Sequence, residues 1–156
     1  MPGIRRISEE DLPEVIELIL HVFEIDVAGS FSAEGVREFS AATPGEIVAG
    51  FKNGNIFLAA ENNGAVVGVL NMTDEGYLFS LFVNPDHQGT GIGRALLSAG
   101  IAELKSRRPD VDKLRFKASR NAIAIYRHWG CVETGPEIEK RGIRAVPMEL
   151  DLNEFD

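Results

Sequence analysis

Residues 77–97 read YLFSLFVNPDHQGTGIGRALL: a nearly unbroken apolar run, a proline, and three glycines in five positions leading into a helical pattern. No other stretch restricts the possible folds as much. A run of eight residues with so little polarity suits a central strand covered on both faces, closed by Pro85. From 91 to 108, Ile92, Leu96, Leu97, Ile101 and Leu104 recur at helical spacing, and Pro109 stops the helix. A strand is thus delivered through a short turn into a helix. Glycine at a helix start raises the entropic cost of ordering the chain, so its concentration here needs a reason. The first helical turn exposes backbone N–H groups that have no internal acceptor. With the helix dipole they favour an anion. Glycines remove the Cβ atoms that would hold a phosphate away, so a pyrophosphate site is expected; the structural alternative is a turn that packs tightly on the sheet.

The flanking sequence extends this unit into one α/β domain over 1–156. GIRRI, 3–7, reads as a first strand. SEEDLPEVIELILHVF, 8–23, reads as a helix capped by Ser8, with acidic residues in its first turn. Residues 24–31 show no period and read as a loop; 32–42 reads as a second helix behind Ser32. Residues 55–72 read as a hairpin about Asn63-Gly64. KLRFKA, 113–118, is a strand, and NAIAIYRHW, 121–129, a short helix ended by Gly130. CVETG and RAVPMELDL form a final hairpin. The expected order is β α α β β β α β α β β, with a mixed, mostly antiparallel sheet flanked by helices.

A formal net charge of -8 argues against a nucleic-acid partner, whose binding rests on Lys and Arg. No apolar run reaches the roughly 18 residues that span a bilayer, and MPGIRRISEEDL lacks a secretory signal's apolar stretch. A soluble cytoplasmic protein without membrane partners is expected. The single cysteine, Cys131, cannot form an internal disulfide. His21, His87 and His128 lack metal-ligand spacing, so no metal is expected.

Three phosphate-loop patterns compete for the glycine turn. GxxxxGK[ST] is absent, because Arg94 follows Gly93. GxGxxG counted from Gly89 fails at its last position, again Arg94. QxxGxG is met by Gln88, Gly91 and Gly93. LFVNPDHQGTGIGRALL resembles the coenzyme-A-binding motif of the GCN5-related N-acetyltransferases (GNAT). NAIAIYRHWGCVETG resembles that family's later helix, and the element order agrees. The tail ETGPEIEKRGIRAVPMELDL is similar to a bacterial and archaeal subgroup whose physiological substrate is unsettled.

The resemblance implies acetyl-CoA as cosubstrate and direct attack by a primary amine of a small molecule or protein. It implies that strands 77–84 and 113–118 splay to expose an edge, with the backbone of Phe82 and Val83 meeting pantetheine and the acetyl carbonyl. The backbone of Gln88, Gly89, Thr90, Gly91, Ile92, Gly93 and Arg94 would wrap the pyrophosphate. Tyr126 is the expected general acid: a phenol is protonated at neutral pH and can protonate the leaving sulfur. Asn121 caps the last helix or meets the cofactor. Strand 77–84 holds no carboxylate, so Glu75, just before it, is the first candidate base and Glu61 the second; bulk water is the alternative. His87 lies in the phosphate turn. No histidine is placed to activate Cys131, which argues against an acyl-cysteine route. Residues 26–35 and 134–143 are expected to shape the acceptor pocket, and the edge of the final hairpin offers a surface for a homodimer. A non-catalytic acyl-CoA-binding module and a dinucleotide-dependent oxidoreductase are the competing functions.

Overall fold

The computed structural model describes residues 2–155. The elements are β1 (Gly3–Arg6), α1 (Leu12–Val22), α2 (Ala33–Lys52), β2 (Ile56–Asn62), β3 (Ala65–Met72), β4 (Tyr77–Val83), α3 (Ile92–Arg107), β5 (Lys113–Ala118), α4 (Ile123–His128), β6 (Val132–Glu133), β7 (Ile138–Lys140) and β8 (Ile143–Asp151). The strands form one sheet in the order β1-β2-β3-β4-β5-β8-β6, and β7 joins the side of β8. Every pairing is antiparallel except β4 with β5. The β2–β3 turn is the expected tight one, with Asn63 and Gly64 both at positive φ.

Helices cover both faces. On one, Leu96, Leu97, Ile101 and Leu104 of α3 pack on Leu70, Met72, Leu114 and Met148. On the other, Val15, Ile19 and Val22 of α1 and Ile47 of α2 pack on Phe57, Ala59 and Val69. Each large aliphatic side chain buried this way contributes about 1.5–3 kcal/mol.

The structure departs from the sequence reading in four places. Residues 24–31 are not a loop: α1 continues as a π turn, Phe23–Val27, and a 3-10 turn, Ala28–Ser30. Phe23 explains the continuation, since it is buried and stacks on Phe39 at 4.1 Å. Second, α2 runs on to Lys52 through Pro44. The proline removes one backbone donor, but Ile47, Val48 and Phe51 beyond it pack into the core, and that burial carries the helix on. Third, the C-terminal region holds three strands. The short β6 pairs with β8 as expected, and β7 forms a hairpin with β8 about Arg141 and Gly142, both at positive φ. That hairpin is clamped to the start of α2: Ser32 N–H donates to Gly142 O at 3.2 Å, and Arg144 Nη1 to Ser30 O at 2.8 Å. Fourth, β4 is not buried along its length; only Leu78 is, and the reason is the geometry of the site.

Candidate active site

The parallel pairing of β4 with β5 covers just Tyr77 with Arg115 and Leu78 with Phe116. Beyond that point the strands separate. The cause lies in the β3–β4 register: Asn71 faces Ser80 and Met72 faces Leu78, leaving Phe79 as an extra, unpaired residue. Such a bulge bends and twists its strand, and it falls at the first position past the parallel pairing. Phe79 stands 60% exposed, edge-on to Tyr77 at 4.8 Å. Residues 80–83 are half-buried because their outer edge has no strand beside it. The expected open seam is present.

The seam opens into a cleft of about 580 Å³, lined by Leu78–Val83 on one wall and Phe116–Ser119 on the other, and closed by the glycine turn and α4. The turn follows from local chemistry. Asn84 Oδ1 accepts the Asp86 N–H at 2.9 Å, Pro85 opens a 3-10 turn, and Gly89 and Gly91 take φ of 77° and 87°. At those values any residue with a Cβ is strained. A Cβ on Gly89 would meet no protein atom within 4 Å. The first intrahelical bond of α3 runs from Ala95 N–H to Gly91 O, so the N–H groups of Ile92 and Gly93, at the helix start, have no acceptor within the helix. An anion-sized space beside positive-φ glycines and an unpaired strand edge fit the pyrophosphate and amide-bearing arm of coenzyme A.

The cleft gathers Phe82, Val83, Gln88, Gly89, Gly91, Ile92, Gly93, Arg94, Asn121 and Tyr126 from among the residues singled out in the sequence. Gly93 also makes room for packing, since a Cβ there would lie 3.3 Å from the Trp129 ring. Ile92 is a core side chain, and the Arg94 guanidinium lies over the Phe155 ring at 4.7 Å. Thr90 is not part of the lining; its hydroxyl donates to His87 O at 2.5 Å. Asn121 is not the cap: Ala122 holds that position for α4, and Asn121 lies in the 3-10 turn before it, where the Ser119 hydroxyl donates to its Oδ1 at 2.6 Å. His87 lines the cleft, but its Nδ1 is sealed from solvent without a partner.

Tyr126 sits in the cleft wall, its ring tilted on Phe116 at 4.5 Å and edge-on to Trp129 at 5.6 Å. Burial, with a smaller contribution from Cys131, pushes its phenol well above the ordinary tyrosine value, so the group stays protonated at neutral pH. Neither candidate base reaches the cleft. Glu75 is exposed in the β3–β4 turn, at the zipped end of the seam. Glu61 pairs with Arg5 at 2.7 Å on β2. Cys131 is buried, and that burial pushes its thiol up to about 11, which makes it a poor nucleophile.

Sequence reasoning placed Asp26 only within the broad acceptor segment 26–35 and missed Phe79, Ser119 and Ile125, which also line the cleft, whereas residues 134–143 do not line it. Asp26 fell in a segment without a period, and nothing local marks Phe79 as a bulge.

An open parallel seam beside a glycine turn defines a protein built to hold an acyl-coenzyme A, and comparison with known proteins agrees. The family model of the acetyltransferase (GNAT) domain matches residues 27–152. A [ribosomal protein bS18]-alanine N-acetyltransferase of Salmonella typhimurium is 31% identical over 134 residues, 83% of this chain and 80% of that one. Among solved structures, a GCN5-related N-acetyltransferase from Rhodopseudomonas palustris superposes with a TM-score of 0.79 at 22% identity, over 97% of this chain and 96% of that one. The PaiA N-acetyltransferase of Thermoplasma acidophilum, in complex with coenzyme A, gives 0.75 at 20% identity, over 97% and 99%. The chain belongs to the GNAT acetyltransferase family. It is an N-acetyltransferase whose cosubstrate is acetyl-CoA, and the dinucleotide and non-catalytic readings are not favoured. Among the described residues, no helix is long and apolar enough to cross a membrane.

Proposed function

We propose that this enzyme acetylates a primary amine by direct attack in the β4–β5 seam: the amine gives up its surplus protons to bulk water, its nitrogen bonds to the acetyl carbon as the carbon–sulfur bond breaks, and Tyr126 as general acid protonates the departing thiolate. The observation that carries the reading is the convergence of three parts on one cleft: the open edge of β4, the glycine turn and the Tyr126 phenol. Bound acetyl-CoA supplies the acetyl group as an activated thioester. The N–H groups of the first turn of α3 and the backbone of Gly89 and Gly91 hold the pyrophosphate. Phe82 and Val83 offer backbone N–H and C=O groups to the pantetheine arm, and one N–H on that edge stabilises charge developing on the acetyl oxygen. Tyr126 gives its proton to the departing sulfur, the phenol being protonated at neutral pH.

The α-amine of an N-terminal alanine is the first acceptor to test, because a relative matched over 83% of the chain is named for that chemistry. The reaction belongs to the cytoplasm, where the acetyl-CoA pool is available. Calorimetry with acetyl-CoA, coenzyme A and NADH, followed by thiol release over an amine panel, tests the reading. Tight NADH binding without coenzyme A binding would overturn it. Tyr126→Phe keeps both ring contacts and removes the phenol proton. Turnover is expected to fall about 100-fold, about 2.7 kcal/mol in the barrier, with acetyl-CoA affinity unchanged. Wild-type turnover in this variant would remove Tyr126 as the acid.

A further inference from the structure

Asp26 carries the one carboxylate among the described residues that line the cleft. It belongs to the π turn Phe23–Val27, an irregularity that often marks a functional position in a helix. Its partner is Gln88, whose Nε2 donates to Asp26 Oδ2 at 2.7 Å and to Val83 O at 3.0 Å. One side-chain amide therefore ties the carboxylate to the end of the open β4 edge.

The nature of that partner matters. The acids around α4 and the β7–β8 hairpin are each matched by an arginine: Glu137 by Arg120 at 2.6 Å, Glu139 by Arg144 at 2.7 Å, and Glu133 by Arg127. Asp26 has no such cation among the described residues. A neutral amide orients a carboxylate without cancelling its charge. The same cleft carries large apolar side chains that the fold leaves exposed, Phe79 and Ile125, and Ile25 is next to Asp26 in sequence. A fixed, uncancelled negative charge among exposed apolar groups suits a ligand with an ammonium attached to an apolar body.

We infer that Asp26 receives the acceptor amine, which arrives as an ammonium at neutral pH, and that Gln88 holds Asp26 in position while Phe79 and Ile125 take the apolar part. This deepens the acetyl-transfer reading and rests on it. The backbone of Gln88 then serves the cofactor side and its side chain the acceptor side of the same cleft. Asp26 acts in binding, so its removal is read in KM for the amine.

The test uses the full chain, acetyl-CoA, and two acceptors: an alanine-terminated peptide and 2-phenylethylamine. Asp26→Asn keeps an oxygen for Gln88 and loses the charge. KM for both amines is expected to rise about 10- to 100-fold, the range for losing a hydrogen bond to a charged group. Acetyl-CoA affinity by calorimetry is expected to hold. Added salt should raise the wild-type KM and leave that of the variant flat. Asp26→Glu should recover part of the loss, and Gln88→Leu should give a smaller rise than Asp26→Asn. A folded Asp26→Asn protein with wild-type KM and salt response overturns the assignment while leaving acetyl transfer intact. Loss of acetyl-CoA binding in that variant also overturns it, by moving Asp26 to the cofactor side. A wild-type protein that fails to bind acetyl-CoA sinks the underlying reading and this inference together.

Discussion

The contact between the start of α2 and the β7–β8 turn supports a demanding test, because two glycines of one helix should respond in opposite directions. A Cβ on Gly35 would lie 2.1 Å from Gly142 O, 2.3 Å from Gly142 C and 2.9 Å from Ile143 N. All three are backbone atoms, so no side-chain rotation relieves the overlap. Restoring ordinary contact needs a shift of about 1 Å, which stretches the 3.2 Å bond from Ser32 N–H to Gly142 O out of hydrogen-bonding range. The lost bond costs about 1 kcal/mol and the strained packing about 1–3 kcal/mol. Against this stands at most about 1 kcal/mol from the better helix propensity of alanine. Gly35→Ala is therefore expected to destabilise by about 1–3 kcal/mol, a fall of about 3–10 °C in Tm for a domain of this size. A Cβ on Gly45, in the same helix, meets nothing within 4 Å. Gly45→Ala should stabilise by about 0.5–1 kcal/mol through propensity alone. Urea and thermal unfolding of both variants measure the contrast. Equal stabilities, or a Gly35→Ala protein more stable than wild type, would refute the claim that the hairpin is clamped on α2 through bare backbone.

Two further expectations concern the glycine turn and the N-terminal helix. Gly91→Val forces a β-branched residue to a φ of 87°, a strain of about 1–3 kcal/mol confined to the turn, so the variant should fold yet lose at least about tenfold in acetyl-CoA affinity; normal affinity in calorimetry would discard the phosphate assignment. Asp11 accepts hydrogen bonds from Arg5 at 2.8 Å and from the Ser8 N–H at 2.7 Å, and the Arg5 bond above all holds its carboxyl well below the usual aspartate range. A depressed folded value means that this stability is present above about pH 4, the unfolded value, and is lost as pH falls below it. Asp11→Asn should therefore cost about 1–2 kcal/mol at pH 7, discounted for the partly exposed Arg5, and clearly less at pH 3, the contribution shrinking steadily as pH falls below about 4, read from urea midpoints at both values.

Much of the site was legible because its signals are local. Asn63-Gly64 set a turn by torsional preference, and of the two QxxGxG glycines Gly91 takes a positive φ, as does Gly89 beside it, while Gly93 lies inside α3. Pro85 and Pro109 bracketed the glycine turn and the helix α3 that follows it. Tyr126 was legible from the sequence around it, and the structure seats it in the cleft wall. The candidate bases were not legible. Glu75 is near β4 in sequence, but the seam opens at the other end of that strand, so closeness along the chain was a poor guide to closeness in space.

By itself the sequence determined the alternation of strands and helices, the glycine turn at the start of α3, and the family to which these belong. Tertiary structure alone decided where β4 leaves β5, through a one-residue mismatch with β3 at Phe79. It also decided that α2 continues past Pro44 and that Asp26 meets Gln88 across 62 residues of chain. The physical reason is common to all three. Torsional preference and hydrophobic period act over a few residues and can be read in place. A bulge, an overridden proline and a distant hydrogen bond are settled only by the packing summed over elements that the chain must first bring together.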